Sequence, residues 1–321
     1  MRNLYLGNDV VDYCEKYKYL GVLFTEHLDF TEHDNILTAA GSRALGAVIA
    51  KYKTLENMGY ETFTKCVETA VYPVVDYGAE VWGGLKNANT DNVQLKAIRC
   101  FLGVHQFAPI SGILGDMGWL PSEYRRKICM LRYWNRLIVM KDERITKKVF
   151  NTDYENSGLW CKHIQSILAE LGLSEVYVDK VVVNIVYCKH KMYKLYNEKW
   201  KELVSLKPKL DTYVKLKSTF DVEYYVTLKL NKQQRSILAQ LRLGILPLYI
   251  ETGRFINVKR ENRICTLCEE NEVEDELHFL FKCTLYNDIR NQFLSNYTMV
   301  NTYSRADQFK YLCENLAGPL P

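Results

Sequence analysis

Residues 265 to 283, CTLCEENEVEDELHFLFKC, place three cysteines and one histidine within nineteen residues. Cys265 and Cys268 stand two residues apart, the separation at which a tight turn aims both thiolates at one ion. His278 and Cys283 complete a Cys-x2-Cys-x9-His-x4-Cys set. Four soft or borderline donors suit tetrahedral zinc. A catalytic zinc keeps an open coordination position, and four protein ligands leave none. The spacing therefore predicts a structural ion, whose binding, on the order of 10 kcal/mol, folds a segment too small to fold alone. Leu277, Phe279, Leu280 and Phe281 flank the histidine and would form the small core that the ion pins. The competing reading is ordinary buried thiols beside an unrelated surface histidine. It must treat the spacing as coincidence in a chain whose other cysteines are scattered singly.

A second chemistry is phosphate binding. Residues 121 to 150 hold nine Lys and Arg against three acids. At ~100° per residue, Arg125, Arg132 and Arg136 fall within about 40° of one another on a helix, with Ile128, Leu131, Trp134, Leu137 and Ile138 on the other side. From Lys189 to Lys217 nine lysines face three acids, Lys189, Lys191 and Lys194 among them, interleaved with Tyr193, Tyr196, Trp200 and Tyr213. That mixture suits phosphate contacts and base stacking, and equally a solvated lysine face above an aromatic core. The approach to the cysteine cluster carries Arg235, Arg242, Arg254, Lys259, Arg260 and Arg263, whereas EENEVEDE inside the cluster is acidic. If this segment binds nucleic acid, the basic approach makes the contacts and the acidic loop faces away. The alternative is that Arg235 and Arg242 only flank a packed stripe of Ile237, Leu238 and Leu241.

Other chemistries lack their residues. Polymerases and nucleases gather carboxylates around divalent ions, and no Asp-Asp pair exists in the chain. No phosphate-binding Walker loop, serine elbow or His-Glu-x-x-His motif is present either. Asp76 and His105 have no partner at a meaningful spacing and read as structural. The chain has 321 residues, is 48% hydrophobic and carries a net charge of +4, which makes it globular and mildly basic. Ten cysteines without a signal peptide point to a reducing, intracellular compartment, nuclear or cytoplasmic. The longest apolar runs fall far short of the ~20 residues that span a bilayer.

These residues need elements to position them. Alternation through VVDYC, a turn at CEKYKY and the run YLGVLF predict a short β-hairpin within the first thirty residues. From Thr31, read as a helix cap, the period becomes helical, with Leu37, Ala40, Ala44, Leu45 and Val48 on one face. Pro73 should kink or break the next helix. TDNVQLKAIRCFLGV and PSEYRRKICMLRYWNRLIVM read as further helices on either side of a glycine-rich loop, ISGILGDMGWLP. Residues 182 to 205 continue the helical pattern, and 207 to 221 read as a linker. The fold class is mainly α: a short N-terminal β-hairpin, a helical bundle and a small C-terminal zinc knuckle.

Together these segments resemble the carboxy-terminal part of non-LTR (LINE-type) retrotransposon reverse transcriptases. KYKYLGVLFTEHLDFTEH is similar to the end of that family's palm, YPVVDYGAEVWGG to a thumb helix with Pro73, Tyr77, Gly78 and Trp82, and LKAIRCFLGV to the following helix with Arg99. GDMGWLPSEYRRK resembles the loop with Gly118 and Pro121. LAQLRLGILPL, RICTLC, EDELHFLFKC and YNDIR resemble its zinc-binding segment through Arg242, Gly244, Cys265, Cys268, His278, Cys283 and Arg290. The match is weakest between 150 and 230. The resemblance implies end of palm over 1–30, thumb over 31–150, linker over 151–232 and zinc-binding domain over 233–321. It places the family's paired aspartates before Met1, so that this stretch alone would not polymerise DNA. It also implies binding of template-primer duplex, element RNA or target DNA. A zinc-stabilised protein-interaction module is the rival expectation.

Overall fold

The computed structural model describes residues 4–55, 58–85, 88–294, 307–309 and 311–312. The extreme ends of the expected 1–30 and 233–321 segments lie outside these residues. The architecture is mainly α-helical, with two small antiparallel hairpins at the N-terminus. Leu4–Leu6 pairs with Asp9–Val11, and Lys16–Tyr19 pairs with Val22–Thr25. The turn sits at Leu20-Gly21, both with positive φ (45° and 87°), the backbone that a two-residue hairpin requires. CEKYKY was expected to turn and instead contributes a strand. Backbone conformation at Leu20-Gly21 decides the register, and alternation of side chains does not report it.

Contacts group the chain into two units, each drawn from three separated stretches: 1–48, 66–94 and 121–192 in the first, and 49–65, 95–120 and 193–321 in the second.

In the first unit, the long helix beginning at Thr31 buries Leu37, Leu45 and Val48, as its periodicity predicts. Its start is closed by Asp29, whose carboxylate accepts from the backbone N–H of Thr31 (2.9 Å) and its hydroxyl (2.6 Å). Thr31 is thus the capped residue and not the cap. The chain breaks at Val71, between the helices Tyr60–Ala70 and Tyr72–Val75, where Pro73 occupies the first turn of the shorter one. The helix Ser122–Ile138 buries Ile128, Leu131, Trp134 and Leu137.

In the second unit, the expected glycine-rich loop is a helix, Ile110–Met117, in which every residue after Ile110 is buried. Its glycines are there for close packing: a Cβ on Gly112 would lie 2.4 Å from Leu243, and one on Gly115 would lie 2.8 Å from Trp200. Gly118 ends this helix with φ +63°. The expected linker, 207 to 221, is likewise part of the core. Leu210, Tyr213, Leu216 and Phe220 are buried there, and so is Lys217, which pairs with Asp221 (2.8 Å) and Glu223 (2.6 Å). Tyr196, Trp200 and Tyr213 prove to be core aromatics, with the Trp200 indole donating to the Ser111 carbonyl (2.8 Å). Around the cysteine cluster, Leu277, Leu280 and Phe281, three of the four apolar residues expected to form a core there, pack against buried Leu216, Leu241 and Phe309, whereas Phe279 stands edge-on to Tyr286 with ring centres 5.0 Å apart.

Candidate metal centre

The segment leading into the cluster is fixed before the first ligand. Arg263 donates to the carbonyls of Val258 (3.0 Å) and Ile250 (2.6 Å), and Ile264 bridges Val273 in antiparallel fashion. Cys265 N–H then donates to the Glu272 carbonyl (2.8 Å), so the acidic loop doubles back over the two cysteines. The third ligand sits on the short helix Glu276–Phe281. Asp275 caps this helix by accepting from the His278 N–H (2.8 Å). After it, Cys283 N–H donates to the His278 carbonyl (2.9 Å), which folds the fourth ligand back. Arg290 donates to the Cys283 (2.9 Å) and Leu280 (2.8 Å) carbonyls and secures that return.

This path brings one donor atom each from Cys265, Cys268, His278 and Cys283 within 4.8 Å of one another. The Sγ atoms of Cys265 and Cys283 are 3.9 Å apart, and Cys268 Sγ lies 3.3 Å from His278 Nε2. A tetrahedron with metal–sulfur bonds of ~2.3 Å and a metal–nitrogen bond of ~2.0 Å has edges of about 3.5–3.8 Å, so the donors fit one ion. A disulfide, at ~2.05 Å, does not fit. The cluster can hold a metal ion.

The electrostatics suit a cation. The backbone N–H of Glu270 pulls the Cys268 thiol below its ordinary range, whereas burial pushes that of Cys265 up to about 11. Neutral Cys265 is what a buried, metal-free thiol prefers, and a bound cation reverses that preference. The other ring nitrogen of His278, Nδ1, lies 3.6 Å from the Glu272 carboxylate, which itself pairs with Lys282. At that distance Glu272 is a charged neighbour of the ring and not a hydrogen-bond partner, and Nε2 is the nitrogen that faces Cys268. Glu272 was missed from sequence because it lies within an acidic run whose members look alike. The Ile264–Val273 bridge and the Cys265 N–H donated to its carbonyl set it beside the ring.

No protein-family model, curated protein or solved structure matches the chain.

The expected phosphate ligands divide into two groups. Arg132 and Arg136 are exposed on the Ser122–Ile138 helix, Lys189 and Lys194 are exposed on the helix Ile185–Ser205, and Lys259 and Arg260 are exposed ahead of the cluster. Lys191 is half-buried, its ammonium 5.6 Å from the Tyr187 ring centre. Arg125 shares the helical face of Arg132, yet that end of the face is covered. Its guanidinium lies 3.5 Å over the Tyr72 ring and pairs with Asp76 at 2.8 Å. Asp76, which had no sequence-local partner, thereby gains one.

Arg235 and Arg242 are corrections. Both are buried. Arg235 donates to Tyr52 Oη (2.8 Å) and the Leu230 carbonyl (2.9 Å) and stacks on Phe101, its Cζ 4.0 Å from the ring centre. Arg242 lies 3.4 Å from Asp116 and 3.0 Å from Glu223. Burying a guanidinium requires internal partners for it, and these have them, so neither is free for phosphate. Arg263, bound to two carbonyls, is also committed to holding the backbone. Arg126, unremarked in sequence, is buried against Asp91 at 2.7 Å.

Proposed function

We propose that this chain is a nucleic-acid-binding carboxy-terminal portion of a LINE-type reverse transcriptase, its cluster holding one structural zinc. The ion's part is to fold the knuckle: with four protein ligands it has no open position for substrate. The observation that carries the binding reading is the exposed pair Arg132 and Arg136. They are one helical turn apart, on a helix whose opposite face is packed, and in no ion pair among the described residues. Guanidinium groups so placed match the fork geometry of phosphate oxygens. Exposed Lys189, Lys194 and Lys259 supply further positive charge, and Arg260 is exposed but paired with Asp211 at 3.2 Å.

The test is fluorescence anisotropy of the zinc-loaded chain with a labelled primer-template duplex and a structured RNA, between ~50 and ~200 mM salt. The logarithm of affinity should fall linearly with the logarithm of salt, and the slope counts the phosphates engaged. No binding at low salt would end this reading.

A second reading, a zinc-stabilised protein-interaction module, draws on Leu285, Ile289 and Phe293. They are spaced four apart along and just before the helix Asn287–Leu294, and all are exposed. Binding through such a stripe would resist salt, which separates the two readings.

A further inference from the structure

The first unit contains a cavity of about 470 Å³ that the nucleic-acid reading leaves unused. That is within the ~300–1,000 Å³ range of small-molecule sites. Five aromatic side chains line it, Phe30, Trp82, Tyr133, Phe150 and Trp160, among aliphatic ones such as Leu85 and Leu159. The rings stand nearly perpendicular, Trp160 to Tyr133 at 85° with centres 5.8 Å apart, and Trp160 to Phe150 at 82° and 6.3 Å. Hydrogen bonds hold them in place. The Trp160 indole donates to the Glu80 carbonyl (2.8 Å) and the Trp82 indole to the Tyr77 carbonyl (2.8 Å).

The charged side chains that line the cavity are acidic, with Arg126 and Lys147 outside the lining but 5.6 Å and 5.2 Å from the ring centres of Trp82 and Phe150. Asp29 and Asp153 line it, and no Lys or Arg does among the described residues. Neither carboxylate is in an ion pair among those residues. Each is instead held by local donors: Asp29 by Thr31, and Asp153 by the backbone N–H of Cys161 at 3.2 Å. Asp153 is set in place by Gly158, where a Cβ would lie 1.7 Å from its Oδ1. His163 and Tyr133 are the remaining titratable groups lining the space, and His163 is seated against Gly84 in the same manner.

Aromatic faces attract cations through their quadrupole, and more strongly for a cation that is poorly hydrated. Two fixed carboxylates add charge complementarity, while the apolar walls disfavour a small, strongly hydrated ion. The geometry points to a binding site in this cavity for a small organic cation, an alkyl-substituted ammonium whose apolar body fills the aromatic box and whose charge faces Asp29 and Asp153.

The test titrates the full chain with choline and with its uncharged isostere 3,3-dimethylbutan-1-ol, followed by tryptophan fluorescence at about pH 8, where histidine is neutral. Choline should bind saturably and about tenfold more tightly than the alcohol. Trp160→Leu should weaken choline by about tenfold, and Asp153→Asn by about fivefold with the alcohol unaffected, both in chains whose circular dichroism is unchanged. Equal or tighter binding of the alcohol would overturn the cation assignment. So would choline binding that folded Trp160→Leu leaves intact, since the ligand would then sit elsewhere. No saturation by either compound up to about 10 mM would remove the site altogether. Should a variant fail to fold, the choline and alcohol comparison on the native chain decides alone.

Discussion

The second unit takes polar groups out of water in two ways. The Cys3His cluster draws all four candidate ligands from residues 265 to 283, within turns that are mostly local. The buried network around Asp116 draws its members from far along the chain: the Tyr213 hydroxyl donates to Asp116 at 3.0 Å and that of Tyr225 at 2.7 Å, while Arg242 approaches it across a separation of 126 residues. Glu223 bridges Arg242 to buried Lys217, which lies 2.6 Å from it. Local closure means that the first device can form by itself if an ion is supplied from outside. The second is assembled only when the rest of the core is in place, so it selects the fold more than it drives it.

The largest effect should come from breaking the local device. Cys265→Ser removes one of four ligands, and a structural zinc contributes on the order of 10 kcal/mol. Zinc content should fall from one per chain to near zero, and limited proteolysis should begin between residues 249 and 294, leaving the Ser122–Ile138 helix protected. Unchanged metal content and protease resistance would show that the cluster holds no metal. Next in size is Arg242→Leu, which leaves Asp116 and Glu223 without their guanidinium. Stranding a buried charge costs about 3–5 kcal/mol, read from urea unfolding. Combining it with Asp116→Leu should recover part of that loss, because no lone carboxylate then remains at that position. If the single and double variants are equally destabilised, the pair is not coupled.

Glu272→Ala sharpens the comparison from within the metal centre. It keeps all four ligands and removes only the carboxylate beside His278 Nδ1, so zinc affinity measured against a competing chelator should drop by about 10- to 100-fold. The pH dependence has a definite sign. In the metal-free fold Cys265 is held up to about 11, so the neutral thiol is favoured. Its contribution is present below the unfolded thiol range and is lost as pH rises towards that value. With zinc the sign reverses, because binding expels the thiol protons. Stability of the loaded chain should therefore fall as pH drops from ~8 towards ~5, and a chelator should abolish that slope. A slope that persists in chelator would point to other groups.

The same contrast explains what could be read from the residues. Cys265, Cys268, His278 and Cys283 were legible because ligand spacing is a property of the sequence itself. Helix existence was legible too, and so was the break near Pro73. Arg235 and Arg242 were not, since residue type cannot tell a guanidinium reaching phosphate from one answering Tyr52 or Asp116 through contacts more than a hundred residues away. The segment ISGILGDMGWLP misled for a related reason. Its glycines resemble loop punctuation, yet they serve a helix that needs bare backbone against Leu243 and Trp200. Glu272 stayed hidden in a run of six acids until the strand bridge singled it out.

The smallest effect on stability belongs to the exposed arginines, and it bears most directly on function. Arg132 and Arg136 have solvent in place of buried partners, so Arg132→Gln and Arg136→Gln should each shift unfolding by no more than about 0.5 kcal/mol. Their effect on nucleic-acid binding should be disproportionate. Each guanidinium that contacts a phosphate releases about one counterion, so each substitution should reduce the salt slope by roughly one and weaken duplex binding uniformly across sequences. Arg125→Gln supplies the internal control. It lies on the same helical face but is paired with Asp76 and stacked on Tyr72, so it should cost stability while leaving the salt slope unchanged. If Arg125→Gln alters the slope and the two exposed substitutions do not, the helix does not meet phosphate through the face proposed here. The exposed lysines and Arg260 would then have to carry the contact.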